Sequence, residues 1–110
     1  MSYQHKDLSK GRWHEMEFVV QMANIGSEVE RALSWRAKKN ETYSRQACER
    51  AFELIDLSLA GIKGFPRLKE VARVREAIVD YFLGSNQYGS SEDSWRNYFS
   101  SFTYAARKNY

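Results

Sequence analysis

Few residues in this chain could carry nucleophilic, base or soft-metal chemistry: His5, His14 and Cys48 are its only histidines and cysteine. A nucleophile needs a base within hydrogen-bond reach, and a metal centre needs three or four converging donors. His14 stands beside Glu15 and Glu17, but one histidine among acids on an amphipathic helix is ordinarily a surface residue. No HExxH, ExxH or Cys/His cluster occurs. A single cysteine also excludes an intrachain disulfide and a four-cysteine zinc site, and suits a reducing cytoplasm. Cys48 falls on an apolar stripe, where it acts as a small hydrophobe. Glu49, Glu53 and Asp56 share one side of a helix, and acid–base work by paired carboxylates needs such neighbours; a solvated acidic face is their ordinary meaning. The segment GSNQYGSS leads into a helix without the lysine of a phosphate loop. The reading is therefore of a chain that is not an enzyme, with no metal and no cofactor.

Arginine offers a second chemistry, the capture of phosphate or another anion. Arg67, Arg73, Arg75, Arg96 and Arg107 form the candidate set for an anion or nucleic-acid surface. Arg75 is the anomaly among them, because the helical wheel puts it near the centre of an apolar arc formed by Leu68, Val71, Val79 and Phe82. A guanidinium there needs a carboxylate such as Glu30 or Glu53, a bound anion or a subunit interface. Seventeen basic residues against fourteen acidic ones leave a net charge of +3, too mild a bias to decide the matter.

Apolar residues recur at helical spacing throughout, and period-two alternation is nowhere sustained, so the fold class is all-α. Four helices are predicted. The first, about 12–39, carries Phe18, Val19, Met22, Ile25, Val29 and Leu33 inward. The second, about 42–60, carries Ala47, Cys48, Ala51, Phe52, Ile55 and Leu59 and ends at Gly61. The third opens at Pro66 and presents Leu68, Val71, Ala72, Val74, Ile78, Val79 and Phe82. The fourth is capped by Ser90 or Ser91. Short connections favour a mainly antiparallel four-helix bundle with a single core and one domain over 1–110, residues 1–11 forming a flexible N-terminal segment. No run of eighteen apolar residues occurs, so neither membrane insertion nor export is expected, and the cytoplasm is the natural location.

On the last helix, Trp95, Tyr98, Phe99 and Phe102 follow i, i+3, i+4, i+7 spacing, while Arg96, Arg107 and Lys108 lie opposite. The aromatics read as core rather than as a base-stacking platform, which needs rings and cations together. Tyr98 then needs a partner for its hydroxyl. Gly26 lies inward in mid-helix, where close packing is the expected use, with an aromatic of the last helix resting in the gap.

Trp13, Val20 and Trp35 lie on the polar side of the first helix, beside Arg31. Coverage by the bundle itself explains them, and so does a partner-binding surface made of apolar anchors around an arginine. Leu57, among Arg50 and Glu53, adds to the second account.

The stretches NIGSEVERALSW, RAFELIDLSLAG, RLKEVARVREAIVDYF and WRNYFSSFTYAAR resemble a group of short prokaryotic all-α proteins of uncharacterised function, over nearly the whole chain. More loosely, the RAFELIDL-type second helix is similar to that of HEPN domains, which act as ribonucleases or as companions of small nucleotidyltransferases. No histidine follows an arginine by four to six residues, as the HEPN nuclease signature requires. The resemblance thus implies a non-catalytic companion role. The functional expectation is a bundle that acts by protein–protein interaction, with a protein partner or itself as a homo-oligomer; the alternative is an RNA- or anion-binding bundle.

Overall fold

A computed structural model describes residues 10–108. Five helices follow one another: α1 (Lys10–Glu15), α2 (Phe18–Ala37), α3 (Glu41–Gly61), α4 (Phe65–Leu83) and α5 (Glu92–Lys108). No strand occurs among the described residues. The all-α class holds, and the helix count rises from four to five because the expected first helix is broken. His5 and residues 1–9 of the expected flexible segment lie outside the described residues, whereas Lys10 and Gly11 belong to α1.

The break falls at Met16–Glu17, where Glu17 takes an extended conformation (φ −63°, ψ 152°). Two bonds hold the corner: the Met16 amide donates to the Trp13 carbonyl (3.2 Å), and Gln21 Nε2 donates to the same carbonyl (2.9 Å). Gln21 is buried, so it satisfies a helix-end carbonyl that would otherwise be stranded away from water. The corner re-aims Trp13. On a continuous helix this residue would face solvent; here it is fully buried, and its indole N–H donates to Ser58 Oγ of α3 at 2.9 Å.

Helix ends follow local chemistry. Lys39 takes the left-handed conformation (φ 62°) that closes α2, and Asn40 caps α3 by accepting from the Tyr43 amide at 3.0 Å. Ser91 caps α5, accepting from the Ser94 amide at 3.1 Å while Ser94 Oγ accepts from the Ser91 amide at 2.8 Å. Between α4 and α5, Asp80 takes the amides of Gln87 and Tyr88 at 2.8 and 3.0 Å and pins the connection to α4.

The core is built around α2, which packs on α3 and on α5, while α4 packs on α3. Met22, Ile25, Val29 and Leu33 of α2 meet Leu54 and Ile55 of α3, Val71, Val74 and Ile78 of α4, and Trp95 and Phe99 of α5. Gly26 permits the closest approach: a Cβ there would lie 2.7 Å from Phe99 Cβ. The aromatic of the last helix does rest in that gap. At the other end of α3, Gly61 leaves room for the His14 ring, whose Nε2 donates to the Leu57 carbonyl at 2.8 Å. Leu57 is buried, contrary to its expected exposure. Cys48 is buried against Ala32 and Ala47.

Candidate functional site

The decisive helix is α4. Its apolar residues split into two stripes. Val71, Val74 and Ile78 enter the core, with Ala77, Tyr81 and Phe82 packed against it at partial exposure. Phe65, Leu68, Ala72, Val79 and Leu83 form the second stripe, which occupies an arc of about 80° with Arg75 at its edge when wound at 3.6 residues per turn. Ala72 and Val79 are half-buried, and Phe65, Leu83 and Leu68 are 72%, 53% and 37% exposed. Taken together the two stripes make an arc of about 180°, wider than one core contact covers. This is why Arg75 looks central on the wheel: it sits on the seam between the buried and outward halves.

At that seam Arg75 Nε donates to Asp56 Oδ1 at 2.8 Å, the side chains being 39% and 56% exposed. The guanidinium also lies over the Phe52 ring, 5.3 Å from its centroid. The acid is Asp56 of α3 rather than Glu53 one turn earlier on the same helix or Glu30 of α2. A pair this open contributes little to stability and leaves Arg75 available for further contacts.

Towards α5, Tyr98 Oη donates to Glu70 Oε2 at 2.6 Å and the Tyr81 and Trp95 rings meet edge to face at 6.2 Å. These long side chains bridge α4 and α5 around a cavity of about 500 Å³ lined by Lys69, Arg73, Val74, Trp95 and Tyr98. Burial and the Glu70 carboxylate together push the Tyr98 phenol well above its ordinary range. Among the described residues the Trp95 indole N–H has no acceptor and is buried from solvent.

Of the four residues expected at a partner surface, Trp13 is excluded by burial. Trp35 is half-buried, its ring edge-on to Tyr43 at 4.8 Å with Lys38 Nζ 5.0 Å away. Val20 and Arg31 line a groove between α2 and α5, near Ser27, Thr103 and Arg107. The upper part of this groove encloses about 660 Å³ and also takes in Arg96 and Tyr104, the latter 70% exposed.

The five candidate arginines do not converge. Arg67 covers the Phe18 ring at 4.4 Å, Arg73 borders the α4–α5 cavity, Arg75 pairs with Asp56, and only Arg96 and Arg107 share the α2–α5 groove. Arg96 is bound to Glu30 (2.9 Å) and Glu92 (3.4 Å). Arg107 has no acidic partner among the described residues.

Sequence reasoning missed Glu28. Set on the polar side of α2, it is nevertheless buried, accepting from Arg31 Nη1 at 3.0 Å and from Arg50 Nε of α3 at 2.8 Å. The Glu28–Arg31 spacing of three was the available signal; the reach of Arg50 across to α2 was not visible. Cys48 is held as a thiol, burial raising its pKa to about 11, so it is a poor nucleophile. No group of three histidine, cysteine or acidic residues suited to a metal occurs among the described residues. No described helix is long and apolar enough to cross a membrane.

Comparison with known families, curated proteins and solved structures returns no match for this chain.

Proposed function

We propose that this protein is a non-catalytic helical module that acts by protein–protein interaction, and that the outer face of α4 is its recognition surface. One observation carries the reading: a regular apolar stripe, Phe65, Leu68, Ala72, Val79 and Leu83, runs along a helix whose other face already supplies the core. Scattered apolar residues on a surface need no explanation, but a stripe at i, i+3, i+7 spacing is the form in which one helix offers itself to another. Arg75, stacked on Phe52 and only half covered, adds an anchor of the kind enriched at such interfaces. A companion role, as a HEPN-like bundle without the arginine–histidine signature implies, agrees with this reading.

The test is capture of protein by the tagged full chain, with Leu68→Glu as the variant and circular dichroism as the check on folding. Wild type retains a protein partner, whether untagged copies of itself or another chain, and the variant loses it. Capture that the variant leaves unchanged, or no protein captured at all, defeats the reading.

A second reading has its own observation: Arg31, Arg96, Arg107 and the exposed Tyr104 border one groove, so cations and a ring stand together there, as single-strand binding requires. It ranks second because Arg31 and Arg96 are already engaged by Glu28 and Glu30. Binding to a mixed-sequence RNA that falls steeply with salt and weakens in Arg107→Gln would support it; no binding at low salt would end it.

A further inference from the structure

We infer that the occupant of the α4 face is a second copy of this chain, paired antiparallel through α4 about a two-fold axis. The inference rests on the reading of that face as the interaction surface and names its partner.

The apolar pattern of α4 is complementary to a reversed copy of itself. The helix has 19 residues, about 28 Å of length at 1.5 Å per residue, and its large apolar side chains sit at both ends of the outward stripe. Phe65 and Leu68 mark the first end, Val79 and Leu83 the last, and Ala72 lies near the middle. Reversing one copy on the other sets Phe65 against the Phe82–Leu83 end, Leu68 against Val79, and Ala72 beside Arg75. The small residue at the crossing lets the two backbones approach, while the large ones close the ends.

Charge along the flank selects the same direction. Lys69 and Arg73 occupy the first half of the flank that adjoins the stripe, and the second half holds Glu76 and Asp80, which keep their negative charge while accepting from the Tyr88 hydroxyl and from the Gln87 and Tyr88 amides. In an antiparallel pair the same flanks meet, so the cations of one copy face the carboxylates of the other. A parallel pair would instead bring opposite flanks together, where α4 offers these graded charges only Arg75. Near the axis each Arg75 keeps its own Asp56 carboxylate at 2.8 Å, which offsets the approach of the two guanidiniums. A two-fold arrangement of this kind buries the same patch on both subunits and leaves no open end to propagate.

Sedimentation velocity on the full chain, from micromolar concentration up to about 1 mM, tests the inference. Wild type sediments at twice the monomer mass at high concentration. Leu68→Glu raises the dimer dissociation constant at least about 100-fold, since it places a carboxylate in the apolar seam. Should that variant fold poorly, Phe65→Ser takes its place, at a position too exposed to support the fold. Charge reversal reads the direction. Lys69→Glu and Glu76→Lys each weaken self-association about 3- to 10-fold, and an equimolar mixture of the two recovers it, because each then presents the charge that the other lacks. A wild-type chain that stays monomeric at about 1 mM overturns self-pairing and leaves the α4 reading to the capture experiment. A dimer indifferent to both Leu68→Glu and Phe65→Ser overturns the face. A dimer that those changes disrupt, but that the mixed charge reversals do not restore, overturns the antiparallel register.

Discussion

The Tyr98–Glu70 contact shows how much a single hydroxyl can report. Because Tyr98 lies on the apolar stripe of α5, its Oη had to find an acceptor, and it donates to Glu70 at 2.6 Å. Burial and the neighbouring carboxylate raise its pKa in the folded state, above the value of about 10 that an unfolded tyrosine has. The sign follows: the stabilisation is complete below about pH 10 and is lost as pH rises through the folded-state pKa. Absorbance titration of phenolate should therefore show a tyrosine that ionises only as the protein unfolds. Tyr98→Phe should abolish that late phase, leaving the smaller rise of exposed Tyr88, whose hydroxyl bonds Glu76. A titration identical in wild type and Tyr98→Phe would show that the contact does not form. Arg75 teaches the complementary lesson. Its need for an acid was readable from its place among apolar neighbours, but Asp56 could not be named until α3 and α4 were set side by side.

Helix types, and the faces that meet, were largely readable from periodicity and caps. Ser91 at the start of α5 and Pro66 in the first turn of α4 act as their types imply, whereas Gly61 does not close α3 in a left-handed turn: the cap is Ile62 in extended conformation (φ −74°), and the missing side chain of Gly61 makes room for the His14 ring instead. The corner at Met16–Glu17 was not readable, because no proline or glycine marks it; it is held by Gln21 reaching back to Trp13, a tertiary choice that local preference does not encode. Nor did the wheel of α4 reveal that half its apolar arc would remain outside, since that depends on how much surface α3 and α5 offer. Between α2 and α5 the geometry is tight enough to predict a sign. Gly26→Ala gains about 1 kcal/mol in helix propensity, but its Cβ would meet Phe99 Cβ at 2.7 Å. That atom is fixed close to the α5 backbone, so α5 must move, at a cost of about 1–3 kcal/mol. Denaturant unfolding should find Gly26→Ala destabilised by up to about 2 kcal/mol net, and less so when combined with Phe99→Ala than the separate changes add up to. A stabilised Gly26→Ala would mean that α5 yields freely.

At the scale of the whole molecule, the all-α class could be read from apolar periodicity, whereas the division of the candidate arginines among separate places could not. Sequence spacing fixes angles on one helix, and only packing decides which helices share a groove. The same packing gives the chain a timetable. α1 has six residues, too few to persist as a helix by itself, and its bonds to α3 join residues 45 and 43 positions apart, Trp13 to Ser58 and His14 to Leu57. A segment that must wait for so distant a socket docks after α2 and α3 have assembled. Trp13→Phe, which keeps a ring but deletes the bond to Ser58, should accordingly hasten unfolding while scarcely altering the refolding rate in stopped-flow experiments. Equal slowing of refolding would put α1 in the nucleus instead. The indole of Trp13 is thus a late bolt: the interior is assembled before it slides home, and its withdrawal is the first step by which the bundle comes apart.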